Sequence, residues 1–417
     1  MSKLVIEGGK PLCGTIPVHG SKNAVLPILA ASVLCTKGVT VIQNCPDLKD
    51  VKSTIKILRY LGAKVKKDGH TITVDASGRL RHRVPKRMMQ KLRSSIIFMG
   101  AITARNQKAK ISAPGGCKLG ARPIDLHKDA LRALGCDITE KHGYIYVCGE
   151  NRKSVELSLR FPSVGATENM LLASCLTPGV TKIKNAACEP EIIDLADFLN
   201  TMGAKIIGAG TPEITVTGVN SLHGTEYAVM PDRIAAITYL CCAAATGGSI
   251  CLTNTVPEHL ETALSYLAQC GCQVEAEKDV IRLSAPKRLS AVPEIETSPY
   301  PGFPTDAQSL FLALLSTADG TSTIHERIFE NRFKTADELS RMGADIEIKK
   351  DIATVCGKDH LTGAHVCACD LRGGAAMVIA ALSAEGTTEI DNVCYIDRGY
   401  EALEQNLATL GASIKRM

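Results

Sequence analysis

Two kinds of helix-forming stretch alternate along this 417-residue chain. Residues 50–61 and 191–202 place apolar side chains at helical spacing with polar ones between them, which predicts amphipathic surface helices. Other stretches are apolar or small nearly all round: AVLPILAASVL, SSIIFMGAITA, ATENMLLASCL, IAAITYLCCAAA, AQSLFLALLS and GGAAMVIAALSA. A helix without a polar face has to be buried on every side. Short β-rich runs marked by glycine, such as GVTVIQN, GVTKIKN, GGSICLTN and GTTEIDN, precede the amphipathic helices.

The alternation is periodic. Leu61-Gly62-Ala63, Leu134-Gly135-Cys136, Met202-Gly203-Ala204, Cys270-Gly271-Cys272, Met342-Gly343-Ala344 and Leu410-Gly411-Ala412 close the amphipathic stretches, at steps of 73, 68, 68, 72 and 68 residues. A glycine between small or apolar residues at a helix end marks a left-handed cap. Six such marks predict six repeats. Six all-round apolar helices with strands outside them predict an α/β fold, made of two globules of three repeats each with buried helices and outer sheets. The first twenty residues read as strands lacking a helix before them, and the last repeat stops just after its mark. The amino-terminal strands are therefore expected to complete the final repeat. The expected domains are 21–230, which carries a cysteine-bearing loop, and 1–20 plus 231–417, with a ligand cleft between them.

Composition narrows the function. The chain has 17 cysteines, no Trp and 4% aromatic residues. An odd cysteine count and the absence of an apolar leader point to a reduced, cytoplasmic protein rather than a disulfide framework. No cysteine pair has the spacing of a structural zinc site, so no metal and no cofactor are expected. The longest apolar runs are too short for a membrane span. A net charge of +5, with few rings for base stacking, argues against nucleic acid as a partner.

The starts of the buried helices carry the candidate chemistry. They read Ser21-Lys22-Asn23, Arg93-Ser94-Ser95, Ser163-Val164-Gly165, Pro231-Asp232-Arg233, Pro304-Thr305-Asp306 and Asp370-Leu371-Arg372. Helix amino termini attract anions. Ser, Thr and Asp there are ordinary caps, but Lys22, Arg93, Arg233 and Arg372 oppose the helix dipole, a conflict that a bound anion would relieve. In the loop from Ala113 to Pro123, glycines flank Cys117 while Lys118 and Arg122 stand close in sequence, an arrangement that favours a reactive thiolate. Most other cysteines, including Cys35, Cys175, Cys241 and Cys242, are read as small core hydrophobes. Asp306, on a Pro/Gly-rich loop, suits a general base or a cap. The charged runs around Arg332 and Arg398 suit helix caps with local ion pairs, or a site.

Taken together, GSKNA at 20–24, PGGCKLGARPIDLH at 114–127, PSVGATEN at 162–169, EPEI at 189–192, PDRI at 231–234, PGFPTD at 301–306, FENRF at 329–333, DLRGG at 370–374 and IDRGYE at 396–401 resemble the UDP-N-acetylglucosamine enolpyruvyl transferase family, within the EPSP synthase-like superfamily. The resemblance implies the family's inside-out α/β barrels and transfer of enolpyruvyl from phosphoenolpyruvate to the 3-hydroxyl of UDP-N-acetylglucosamine, the first committed step of peptidoglycan synthesis. It implies that Lys22, Asn23, Arg122, Arg372 and Arg398 bind phosphoenolpyruvate. Cys117 would deliver a proton to it, add to it covalently and be the target of fosfomycin, and Asp306 would accept the proton of the sugar hydroxyl. Arg93, Arg122, Pro123, Ile124, Asp125, Leu126, Ser163, Val164, Gly165, Asp306 and Ile328 would hold the nucleotide sugar. The chain is expected to act as a monomer. Ala235, Ile237, Thr335 and Tyr395 depart from residues usual in the family. Two alternatives follow: an impaired paralogue that binds UDP-sugar as a regulator, and the sister enzyme acting on shikimate 3-phosphate.

Overall fold

A computed structural model describes residues 2–115 and 123–417; Cys117, Lys118 and Arg122 lie outside the described residues. Cα packing divides the chain into two compact units, residues 20–115 with 123–230 and residues 2–19 with 231–417.

Three sheets in each unit follow one plan. In the 20–230 unit, Thr40–Gln43 runs parallel to Glu226–Ala228 and antiparallel to Thr71–Asp75, with Lys64–Asp68 at the far edge. The strands Glu156–Ser158, Val180–Lys184, Glu213–Thr217 and Lys205–Ile207 repeat that order. In the third sheet a single parallel bridge from Arg83 to Lys110 stands where the edge strand would be, beside Tyr144–Cys148 and Asp137–Lys141. The other unit has Cys13–Pro17, Ser249–Thr253, Val280–Ser284 and Gln273–Glu277 in one sheet, and Glu294–Glu296, Thr321–His325, Ile352–Cys356 and Asp345–Lys349 in the next. Its third sheet draws on both chain ends. Leu4–Glu7 lies between Thr387–Asp391 and Ser413–Arg416, filling the place that a hairpin strand takes in the other repeats. Both amino-terminal strands were expected to complete the final repeat; Leu4–Glu7 does, whereas Cys13–Pro17 joins the sheet of Ser249–Thr253 instead.

The apolar helices form the core. Lys22–Ala31, Phe98–Asn106 and Val164–Ser174 are buried in one unit. In the other, Arg233–Ala245, Thr305–Leu315 and Leu371–Ser383 pack on one another. Each fully buried Leu, Ile or Val contributes roughly 1.5–3 kcal/mol, which explains why the segments tolerate no polar face. The amphipathic helices are Lys49–Leu61, Asp125–Ala133, Pro190–Thr201, Glu261–Gln269, Thr335–Arg341 and Leu403–Thr409. Gly62, Gly135, Gly203, Gly271, Gly343 and Gly411 all adopt φ between 88° and 113° at their ends. The N–H of the residue after each glycine bonds the carbonyl five residues back, at 3.0–3.1 Å. A side chain at any of these positions would cost roughly 1 kcal/mol in strain.

All sixteen described cysteines are free thiols. The expectation that most of them are small core residues is corrected: eight of the sixteen are buried, four are partly exposed, and Cys13, Cys148, Cys356 and Cys394 are exposed. Three of these four lie on outer strands, where alternate side chains face solvent. No helix among the described residues is long and apolar enough to cross a membrane.

Candidate active site

In the 231–417 unit, a short helical turn bearing Arg332 and the helix start bearing Arg372 converge on Asp306. It is the second residue of the Thr305–Leu315 helix. Its Oδ1 accepts from Arg332 at 2.8 Å, and its Oδ2 accepts from Arg372 Nη2 at 2.9 Å and from Nε at 3.3 Å. Both guanidinium side chains are almost completely buried, at 2% and 3% exposure, whereas the carboxylate is 29% exposed. Arg372 also donates from Nη1 to the Tyr400 hydroxyl at 3.1 Å and stacks on its ring. Thr238 shares a 2.8 Å hydrogen bond with that hydroxyl. Burial opposes the charge of Arg372, but Tyr400 and Asp306 outweigh it, so the guanidinium is held ionised. Burial pushes the Tyr400 phenol up.

A buried acid, Glu326, fixes the loop that carries Ile328. Glu326 Oε1 accepts the backbone N–H groups of Ile328 and Phe329 at 2.8 and 3.0 Å, while Oε2 accepts from Thr305 at 2.9 Å. The carboxylate therefore ties the Ile328 loop to the helix start that presents Asp306. Arg398 ends the turn Val393–Arg398 and is half-buried, and its neighbour Asp397 pairs with Arg416.

In the 20–230 unit, Ser21 caps the Lys22–Ala31 helix by accepting from Ala24 N–H, and Lys22 and Asn23 open it. Lys22 Nζ lies 3.7 Å from Asp50 Oδ2, and both are largely buried. Ser163 caps the Val164–Ser174 helix in the same way. Pro123 to Leu126 lead into the Asp125–Ala133 helix, where Asp125 pairs with Arg160 at 2.7 Å. Arg93 opens the short turn Arg93–Ile97. His127 lies beneath Gly165: a Cβ on that glycine would stand 2.8 Å from His127 Cε1. Burial and then Arg93 depress the imidazole's pKa to about 4. Glu168 goes the other way. Burial and the nearby Glu191 and Glu189 raise its carboxyl well above the usual range. Asp194 follows it to about 7, mainly through burial, although Tyr227 donates to it at 2.7 Å.

The structure thus gathers Asp306, Arg372 and Ile328 in one unit, and Arg93, Ser163, Val164, Gly165 and the Pro123–Leu126 stretch in the other, with Lys22 and Asn23 on a helix start of the latter. Two readings change. The cations at helix starts were expected to need a bound anion; instead Asp50 and Asp306 offset Lys22 and Arg372 within the protein. Arg93 opens a short turn ahead of Phe98–Asn106 rather than the helix itself. In the two charged runs, Arg332 pairs with Asp306 and Asp397 pairs with Arg416. Sequence reasoning missed Arg332, Glu326, Tyr400, His127 and Glu168 as members of these clusters. Arg332, Tyr400, His127 and Glu168 lie inside the quoted motifs, but nothing in those motifs pairs them with their partners. The departures Ala235 and Ile237 are buried in the Arg233–Ala245 helix, Thr335 is buried at the start of Thr335–Arg341, and Tyr395 is half-buried.

Buried helices that present cations and acids from their starts, in two three-repeat units, define the enolpyruvyl transferase architecture. Comparison with known proteins agrees. The family model for EPSP synthase (3-phosphoshikimate 1-carboxyvinyltransferase) matches residues 6–407. The chain is 52% identical over its full length and the relative's full length to UDP-N-acetylglucosamine 1-carboxyvinyltransferase 2 of Caldanaerobacter subterraneus subsp. tengcongensis. It is 48% identical, again end to end, to UDP-N-acetylglucosamine 1-carboxyvinyltransferase of Desulfosudis oleivorans. Among solved structures, the enolpyruvyl transferase NikO from Streptomyces tendae superposes with a TM-score of 0.90 at 26% identity, covering 100% of this chain and 99% of that one. EPSP synthase from Acinetobacter baumannii shares the fold, with a TM-score of 0.77 at 19% identity and full coverage of both chains. The chain belongs to the EPSP synthase family of enolpyruvyl transferases.

Proposed function

We propose that this protein transfers the enolpyruvyl group of phosphoenolpyruvate to the 3-hydroxyl of UDP-N-acetylglucosamine and releases phosphate, the committing step of peptidoglycan synthesis. The observation that carries this reading is end-to-end identity of 48–52% to relatives bearing that name. The chemistry of the residues supports it. Oxygen attack at C2 of phosphoenolpyruvate requires a proton at C3, neutralisation of the phosphate and carboxylate, and removal of the hydroxyl proton. Departure of phosphate with loss of a C3 proton then regenerates the enol ether. In this reading Lys22, Asn23, Arg122, Arg372 and Arg398 hold phosphoenolpyruvate, and Cys117 supplies the C3 proton. Arg93, the 122–126 stretch, Ser163 to Gly165 and Ile328 hold the nucleotide sugar. Asp306 accepts the hydroxyl proton. In the free protein its two oxygens accept from Arg332 and Arg372, so a substrate anion that draws either guanidinium away would free an oxygen for the hydroxyl proton. The protein acts as a cytoplasmic monomer.

Phosphate release, measured with phosphoenolpyruvate and either UDP-N-acetylglucosamine or shikimate 3-phosphate, tests the reading. Release with the nucleotide sugar alone is expected. Release with shikimate 3-phosphate alone supports the sister activity. No release, together with binding of the nucleotide sugar, supports a regulator, for which the departures at Ala235, Ile237, Thr335 and Tyr395 are the motivating residues.

A further inference from the structure

Asn169 occupies the place of a helical hydrogen bond. It is fully buried on the Val164–Ser174 helix, and its amide enters the start of Phe98–Asn106. The Gly100 N–H donates to Asn169 Oδ1 at 2.6 Å, and Asn169 Nδ2 faces the Ile96 carbonyl at 3.3 Å. A backbone N–H can only donate and a carbonyl can only accept, so the two ends of this amide cannot be exchanged. Gly100 admits the insertion, since a Cβ there would stand 2.7 Å from Oδ1. With Nδ2 committed as donor, its 2.8 Å contact to His127 Nδ1 makes that nitrogen an acceptor. The ring proton is then on Nε2, which has no hydrogen-bond partner among the described residues. His127 is 6% exposed, and Nε2 borders Gly165, 3.3 Å from where a Cβ would be.

The surroundings of Nε2 are suited to a phosphoryl oxygen. The Ser163 side chain and carbonyl take the N–H groups of Ala166 and Thr167, leaving those of Val164 and Gly165 at the open helix start. Arg93 adds positive charge, Asp125 adds a negative charge already paired to Arg160, and Glu168 borders the same glycine as a buried acid. We infer that Asn169 is a positioning residue that locks His127 as the neutral Nε2–H tautomer, so that His127 donates one hydrogen bond to the diphosphate of the nucleotide sugar. This assignment rests on the proposed nucleotide-sugar activity. A second proton on Nδ1 would oppose the Asn169 amide hydrogen, and burial and Arg93 disfavour it too, so the donor stays in place across neutral pH.

Two measurements test it. In the full chain labelled with 15N-histidine, two-bond 15N–1H correlation should show a neutral Nε2–H imidazole, unchanged from pH 5 to 8, that is missing in His127→Gln. An Nδ1–H pattern, or titration with a midpoint near 6.5, would overturn the lock. In calorimetry, His127→Phe should weaken UDP-N-acetylglucosamine binding about tenfold, and His127→Gln, which keeps an N–H at similar reach, should restore it to within about threefold. The KM for phosphoenolpyruvate should be unchanged in both. Unaltered nucleotide-sugar binding in His127→Phe, or an equal rise in the phosphoenolpyruvate KM, would sink the donor role. A wild-type chain that neither binds nor converts UDP-N-acetylglucosamine would overturn the proposed activity instead, and the tautomer would still be decided by the spectrum alone.

Discussion

Asp306 and Glu168 are both acids near the starts of buried helices, one in each unit, and the protein treats them oppositely. Asp306 lies between two buried guanidinium groups and is held as a carboxylate. Glu168 has two further acids, Glu189 and Glu191, as its charged neighbours, so burial drives it towards the neutral form. The two helices share their architecture and core composition, so burial alone does not determine the charge of a site. The charged groups that the fold packs beside it determine it.

Breaking the paired side should have the largest effect. Asp306→Ala leaves Arg332 and Arg372 buried without their carboxylate, and a loss of about 3–5 kcal/mol in unfolding free energy is expected from urea titration. A loss below about 1 kcal/mol would show that solvent or other residues carry those charges.

The unpaired side should respond to pH instead. Glu168 is protonated in the folded chain at pH values where the unfolded chain is ionised. The stability it contributes is full below its ordinary value of 4.5 and is lost as pH rises towards its folded value. Glu168→Gln removes that loss, gaining about 1.4 kcal/mol over wild type for each pH unit above 4.5 over which Glu168 stays protonated. His127 has the opposite sign. Its contribution is full above 6.5 and falls by about 3 kcal/mol as pH drops to about 4. Stability profiles of Glu168→Gln and His127→Gln between pH 4 and 7 should therefore diverge in opposite directions from wild type, and parallel profiles would contradict the contrast.

Smaller changes sharpen the comparison. Tyr400→Phe removes an acceptor of Arg372 and a partner of Thr238 inside the paired cluster, at a cost of about 1–2 kcal/mol by thermal unfolding. Arg160→Ala, which breaks exposed pairs with Asp125 and Asp129, should cost below about 0.5 kcal/mol. A larger loss there would mean that surface charge in this unit matters more than its exposure implies.

Much of the fold was legible because its signals are local. The six glycine marks report left-handed caps that only the backbone around them requires. The apolar helices report burial because each residue's environment is written into its own side chain. The Ser21, Ser163, Asp232 and Asp370 caps were readable for the same reason, and all four accept backbone N–H groups at their helix starts. Arg332 was not legible as a partner of Asp306, because 26 residues separate them and the charged run around it fits an ordinary cap equally well. His127 looked like a residue within a motif. Its role depends on Asn169, 42 positions away, and on Gly100, which a helix pattern gives no reason to single out.

The sequence by itself determined the repeat count, the helices that must be buried, the caps that end the others and the joining of chain start to chain end. These follow from hydrophobicity and backbone stereochemistry, which act within a few residues and recur in every repeat. Only the tertiary structure decided which buried charges are paired. Asp306 stays ionised and Glu168 is driven towards its neutral form because an ionised group in a poorly polarisable interior depends on what stands within a few ångströms of it, and that neighbourhood is assembled from separate repeats.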